Sequence, residues 1–190
     1  MSPFEYILAL VSILIGLAVA DLSSSLHRLL RARQRVRWHW LPLTAALLVT
    51  MLILEFWWIF YALGTAAAWT HYSAFLVLAA SLVCMFLLAS ATLPDDVPET
   101  GIDLSQYYQE NQRYFWSLFG LFVLLMVAVE LVAEWARIRD VAVLRRTLLN
   151  LALVASLFSL AKVQNRRYHA MLVPVLLVLL TIQWSRLRLG

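Results

Sequence analysis

Leu-Phe-Val-Leu-Leu-Met-Val-Ala-Val, residues 121–129, is apolar at every position through more than two helical turns. A helix on the surface of a water-soluble bundle keeps a polar stripe on its outer side, and this segment has no position left to form one. Its surroundings must be apolar in every direction, which is the condition of a helix in lipid. Residues 45–54 repeat the pattern, interrupted only by Thr50.

Outward from these two segments the chain resolves into six apolar runs, approximately 4–20, 41–63, 72–93, 114–135, 147–161 and 170–183. Hydrophobic residues make up 63% of the 190 positions, and the mean hydropathy is +0.81. A helix needs about 20 largely apolar residues to cross the hydrocarbon of a bilayer, and most of the runs come close. Six spans leave no room for a soluble domain. Lipid also obliges each span to satisfy its own backbone hydrogen bonds. The predicted fold class is therefore all-α: a polytopic integral membrane protein, a six-transmembrane-helix bundle with short loops, forming one domain over residues 1–190.

The first run does not resemble a cleaved signal peptide, because Met-Ser-Pro-Phe-Glu lacks a positive leader and no small-residue cleavage site follows. Cys84 is the single cysteine, so no intrachain disulfide forms. Net charge is +4, and all but one of the fifteen basic residues are arginines. They lie beside the spans, which makes lipid headgroups their natural counter-charge and excludes nucleic acid as the expected partner. With the amino terminus outside, inside connections hold nine Lys and Arg against six outside, five of the nine being Arg28, Arg31, Arg33, Arg35 and Arg37. The positive-inside rule then places both termini outside a cell membrane, with those five arginines facing anionic lipid or a partner.

The first helix is expected to outrun the membrane, since Leu22, Leu26, Leu29 and Leu30 keep helical spacing while their neighbours turn polar. Trp38 and Trp40 read as interfacial anchors, and Pro42 suits the first turn of the second helix. The one long connection, 94–112, carries two prolines and a glycine that stop the third helix. Asp103 with Gln106 resembles a capping box, so the fourth helix should start near Leu104. Running to Arg139 it would be roughly 50 Å long and would project beyond the bilayer. The acidic loop and the basic first loop share a face and should pair. Pro174 should kink the sixth helix. The basic loops at 28–37 and 137–146 also suggest a three-plus-three inverted repeat.

Glu55 and Glu130 are the candidate site. Both sit inside apolar spans, where a carboxylate is costly unless paired or protonated and so faces the bundle. Counted from the outer ends of their helices, both lie roughly 10–12 Å deep, and Asn150 enters the fifth span from the same face. Trp58 shares the Glu55 face, and Glu134 and Arg137 continue the Glu130 stripe toward water. Two readings follow. The residues line a polar cavity for a small cation or proton, or they satisfy one another structurally. The four histidines face no partner at haem spacing, and no metal motif occurs, so neither cofactor nor metal is expected. No convergent nucleophile and base argue for an enzyme. The expected function is a channel or small transporter for a cation or proton; the alternative is a non-catalytic accessory or assembly subunit. Either would live in the lipid bilayer as a homo-oligomer or within a larger membrane complex.

Overall fold

The computed structural model describes residues 3–62, 72–133 and 140–184. Six α-helices follow in chain order: α1 (Pro3–Arg31), α2 (Trp40–Ala62), α3 (Tyr72–Ser90), α4 (Leu104–Ala133), α5 (Val141–Lys162) and α6 (Arg166–Trp184). The first five are long and apolar enough to cross a membrane. The expected sixth span is present as a helix. However, α6 opens on Arg166, Arg167 and His169, so its apolar part is confined to 170–183.

The all-helical membrane architecture is as anticipated, and α1 and α4 are its two longest members, at 29 and 30 residues. Each extends over 40 Å at about 1.5 Å per residue, against a hydrocarbon layer of about 30 Å. Their surplus lengths lie at the same end of the bundle. α1 shows no break there. It continues unbroken to Arg31, burying Leu22, Ser25 and Leu29 while Leu26 and Leu30 stay exposed. The buried line differs from the expected leucine stripe because Asp21 and Ser25 bond the last residue of α3 and the chain after it. Ser90 Oγ donates to Asp21 Oδ2 at 2.5 Å, and Ser25 Oγ donates to Asp95 Oδ1 at 3.3 Å.

α4 packs most extensively on α5 and also lies against α3, while α1 packs along α3 and α2 contacts α6. An inverted repeat would pair α4 with α6 as α1 pairs with α3. Instead α4 meets α6 at one end, through Tyr108, Trp116 and His169. The repeat is therefore not borne out among the described residues. The core is aromatic where α4 crosses it: Trp116, Phe119 and Phe122 are fully buried, and Trp116 stacks on Phe119 at 5.8 Å. Leucines and valines such as Leu54, Val83, Leu121, Leu149 and Val175 face outward, where lipid is their solvent.

Two features were not expected from the sequence. Between α1 and α2 a single turn, Arg33–Arg35, leads into β1 (Val36–Arg37), which pairs in parallel with β2 (Ile102–Asp103) just ahead of α4. The fifth helix also starts earlier than its apolar run. Asp140 accepts from the Ala142 N–H at 2.9 Å and caps it, so Arg145 and Arg146 lie within α5 rather than bounding it.

Candidate functional site

Within the spans, α4 and α5 bring two of the three candidate residues together. Asn150 Nδ2 donates to Glu130 Oε2 at 3.2 Å, and the Arg146 guanidinium forms an ion pair with Glu130 Oε1. Arg146 and Asn150 are four apart on α5 and so share its face. The carboxylate thus has a cation and an amide donor from one neighbouring helix. Its side chain is 24% exposed and that of Arg146 is 46% exposed, so the cluster sits on a flank of the α4–α5 pair. The i, i+4 spacing of Arg146 and Asn150 was the sequence signal for this partner.

Glu55 does not take part in these three-residue contacts. It lies half-buried on α2, next to Phe56, which stacks on Phe60 and meets Phe122 of α4 edge-on at 5.8 Å. The Trp58 indole Nε1 is buried with no hydrogen-bond partner among the described residues. Glu134 and Arg137 fall outside the described residues.

The richer polar chemistry lies at the end where α1 and α4 project. The basic first loop and the acidic loop do meet there. Arg28 pairs with Asp95 at 3.5 Å and Arg37 with Asp103 at 3.4 Å, and β1 is bonded to β2 beside the second pair. Exposed pairs of this kind add little stability individually, yet here they fix two loops to each other. Arg31, Arg33 and Arg35 remain exposed on the same surface. Asp103 Oδ1 accepts from the Ser105 and Gln106 N–H groups, which caps α4 at the expected residue. The reciprocal half of a capping box is missing, because Gln106 Nε2 turns to Glu110. Those amide bonds, with help from Arg37 and His39, hold the Asp103 carboxyl below the usual carboxylate range. His39 is held below the ordinary histidine value by burial and by Arg166, with Asp103 opposing. Arg166 Nη2 lies 2.6 Å from His39 Nε2, which joins α6 to the turn before α2.

Beneath this surface runs a buried chain of hydrogen bonds. Trp116 Nε1–H donates to Tyr108 Oη at 2.9 Å, and Tyr108 Oη lies 2.8 Å from His169 Nδ1. His169 Nε2 lies 2.7 Å from the Val163 carbonyl. A carbonyl only accepts, so Nε2 carries the proton; in the neutral ring Nδ1 then accepts from the Tyr108 hydroxyl. Beside the chain lies a pocket lined by Leu41, Ser105, Tyr108, Gln109, Gln112, Gln164, Arg166 and His169. None of these was a candidate from the sequence. The available signal was a polar stripe, since 105, 108, 109 and 112 share one face of α4 at i, i+3, i+4 and i+7.

Neither cluster forms a metal set: among the described residues no group of three or more His, Cys, Asp or Glu could hold an ion. No protein-family model, curated protein or solved structure matches this chain.

Proposed function

We propose that the chain is a non-catalytic accessory or assembly component of a membrane complex, with its ordered polar end facing inside and both termini outside. The observation that carries this reading is the compensation of Glu130 by Arg146 and Asn150. A carboxylate that serves a permeating cation must exchange its counter-charge during each passage. One held by an arginine and an amide from the adjacent helix instead fastens α4 to α5. The ion-paired loops at the polar end add to this, because they make that surface a fixed platform carrying exposed arginines.

Transport of a small cation or proton is the second reading, and the buried Trp58 Nε1, unpartnered among the described residues and one turn beyond Glu55, favours it. A donor in that position leaves room for a polar occupant near the carboxylate.

Two measurements separate the readings. The native mass of gently extracted protein should show stoichiometric companions, and liposomes holding the purified chain under a proton or potassium gradient should stay tight. Flux that disappears in Glu55→Gln would overturn the accessory reading in favour of transport. The fastening role of Glu130 has its own check in a double-mutant cycle. Glu130→Gln and Arg146→Gln should each destabilise the protein by about 1–2 kcal/mol, and together by less than the sum.

A further inference from the structure

The pocket at the polar end lies where three helices begin. Leu41 belongs to the first turn of α2, Ser105 to that of α4, and Arg166 and His169 to that of α6. Each helix start presents the positive pole of its backbone dipole. At α4 this pole is already offset, because the Asp103 carboxylate accepts from the first-turn amides. At α2 and α6 the groups bound to those amides are neutral. His39 Nδ1 accepts from the Leu41 N–H at 3.3 Å, and Asn165 Oδ1 accepts from the Arg167 N–H at 2.9 Å. Two positive poles therefore face the pocket without a compensating charge, and the Arg166 guanidinium adds a full one. No carboxylate is among the described residues that line it.

A second observation is independent of the dipoles. Gln112 is only 5% exposed, lines the pocket, and its side-chain amide has no hydrogen-bond partner among the described residues. The Gln112 amide is not among the fully buried atoms left unpaired, so it keeps access to the cavity and can bond a group that enters there. The cavity itself is small, about 10 Å³ or room for one water-sized group, and it opens at the surface. A group that reaches in with one oxygen and leaves its bulk at the mouth fits that shape. The level is also defined. The exposed Trp38 and Trp40 immediately precede the apolar part of α2, where aromatic rings sit among lipid headgroups.

We propose that this cleft binds a phosphoryl group, one anionic oxygen entering between the Gln112 amide and the Arg166 guanidinium, the source being an anionic phospholipid headgroup or free phosphate. Gln112 donates to the inserted oxygen and Arg166 neutralises it. The Ser105 hydroxyl and the Gln109 and Gln164 amides at the mouth serve the remaining oxygens or the headgroup substituent. The site stands whether the chain assembles a complex or conducts an ion.

The test uses the full chain in a neutral detergent and follows its thermal midpoint and native mass spectrum during titration. The probes are dihexanoyl-phosphatidic acid, dihexanoyl-phosphatidylcholine and inorganic phosphate. Phosphatidic acid should give saturable stabilisation and a one-to-one adduct, and the zwitterionic lipid should give neither. Arg166→Gln and Gln112→Leu should each weaken the affinity about tenfold, the effect of losing one charge-assisted or buried hydrogen bond. Gln112→Leu leaves the net charge unchanged and keeps the cavity wall, so it remains informative if Arg166→Gln disturbs the His39 contact. Arg167→Gln, with the same charge change on an exposed neighbour, should leave affinity unaltered. If inorganic phosphate saturates the site and displaces the lipid at comparable concentration, the phosphoryl site is upheld with a soluble source. If it does not, the lipid is the source. Equal losses in Arg166→Gln and Arg167→Gln, with Gln112→Leu unaffected, would show diffuse surface attraction and overturn the proposal.

Discussion

Gly101 shows how one residue can decide whether two loops meet. Its φ is +87°, in the left-handed region, and a Cβ built there would lie 2.5 Å from the Arg35 carbonyl oxygen. A side chain therefore meets two costs: about 1–2 kcal/mol for the backbone conformation, and a collision with backbone that has no rotamer to yield. Gly101→Ala should lower the thermal midpoint while leaving helix content unchanged. Its signature is local: amide exchange should accelerate at 36–37 and 102–103, where β1 pairs with β2, and stay constant in α3 and α5. Unchanged exchange at those four positions would refute the contact. In the sequence this glycine is visible as a helix stop after two prolines. What it touches is not, since Arg35 is remote along the chain. Gln112 and Arg146 were missed for a related reason. Each is ordinary as a residue type, and its meaning comes from the helix face it shares with others.

At the scale of elements, the α4–α5 seam depends on a close approach. A Cβ at Gly120 would come within 3.1 Å of the Phe158 ring. That ring is 38% exposed, so it can turn aside by the few tenths of an ångström that one methyl requires. Gly120→Ala should thus change stability by no more than about 1 kcal/mol, the better helix propensity of alanine offsetting the contact. Gly120→Leu exceeds what a rotation can accommodate and should destabilise by about 2 kcal/mol. Adding Phe158→Ala to Gly120→Leu should recover part of that loss, whereas additive losses would place the strain elsewhere. Helix starts were the most legible part of this scale. Asp103 and Pro42 predicted the beginnings of α4 and α2 from side-chain chemistry alone. The start of α5 is not legible from hydropathy, because the Asp140 cap precedes the apolar run and cationic stems that can reach the interface let a helix begin before it.

The whole molecule is asymmetric in a way that hydropathy reveals only in part. Six apolar runs and a shared face for the basic and acidic loops follow from composition and charge order. That this face is closed, by β1 with β2, Arg37 with Asp103, and His39 with Arg166, depends on three separate loops arriving at one place, which no local pattern encodes. The closure predicts how the protein responds to acid. His39 has a folded pKa below its ordinary value, because burial and Arg166 resist its protonation and Asp103 only partly opposes them. The unfolded chain accepts a proton near pH 6.5 that the folded chain resists, so stability begins to fall as pH drops below about 6.5. Asp103 is also depressed, by the Ser105 and Gln106 amides and then by Arg37 and His39. Its contribution is complete above about pH 3.9 and is lost as pH falls through its lower folded value. Thermal midpoints measured from pH 8 to pH 3 in detergent should therefore decline in two stages. His39→Gln should shrink the first stage, to which His169, also held below its ordinary value by burial, contributes as well, and should keep the second; Asp103→Asn should flatten the second. A wild-type midpoint that is constant between pH 8 and pH 5 would mean that the Arg166–His39 contact does not hold the polar end together. Arg166 would then be free of its tether, and α6 would join the bundle through His169 and its apolar face alone.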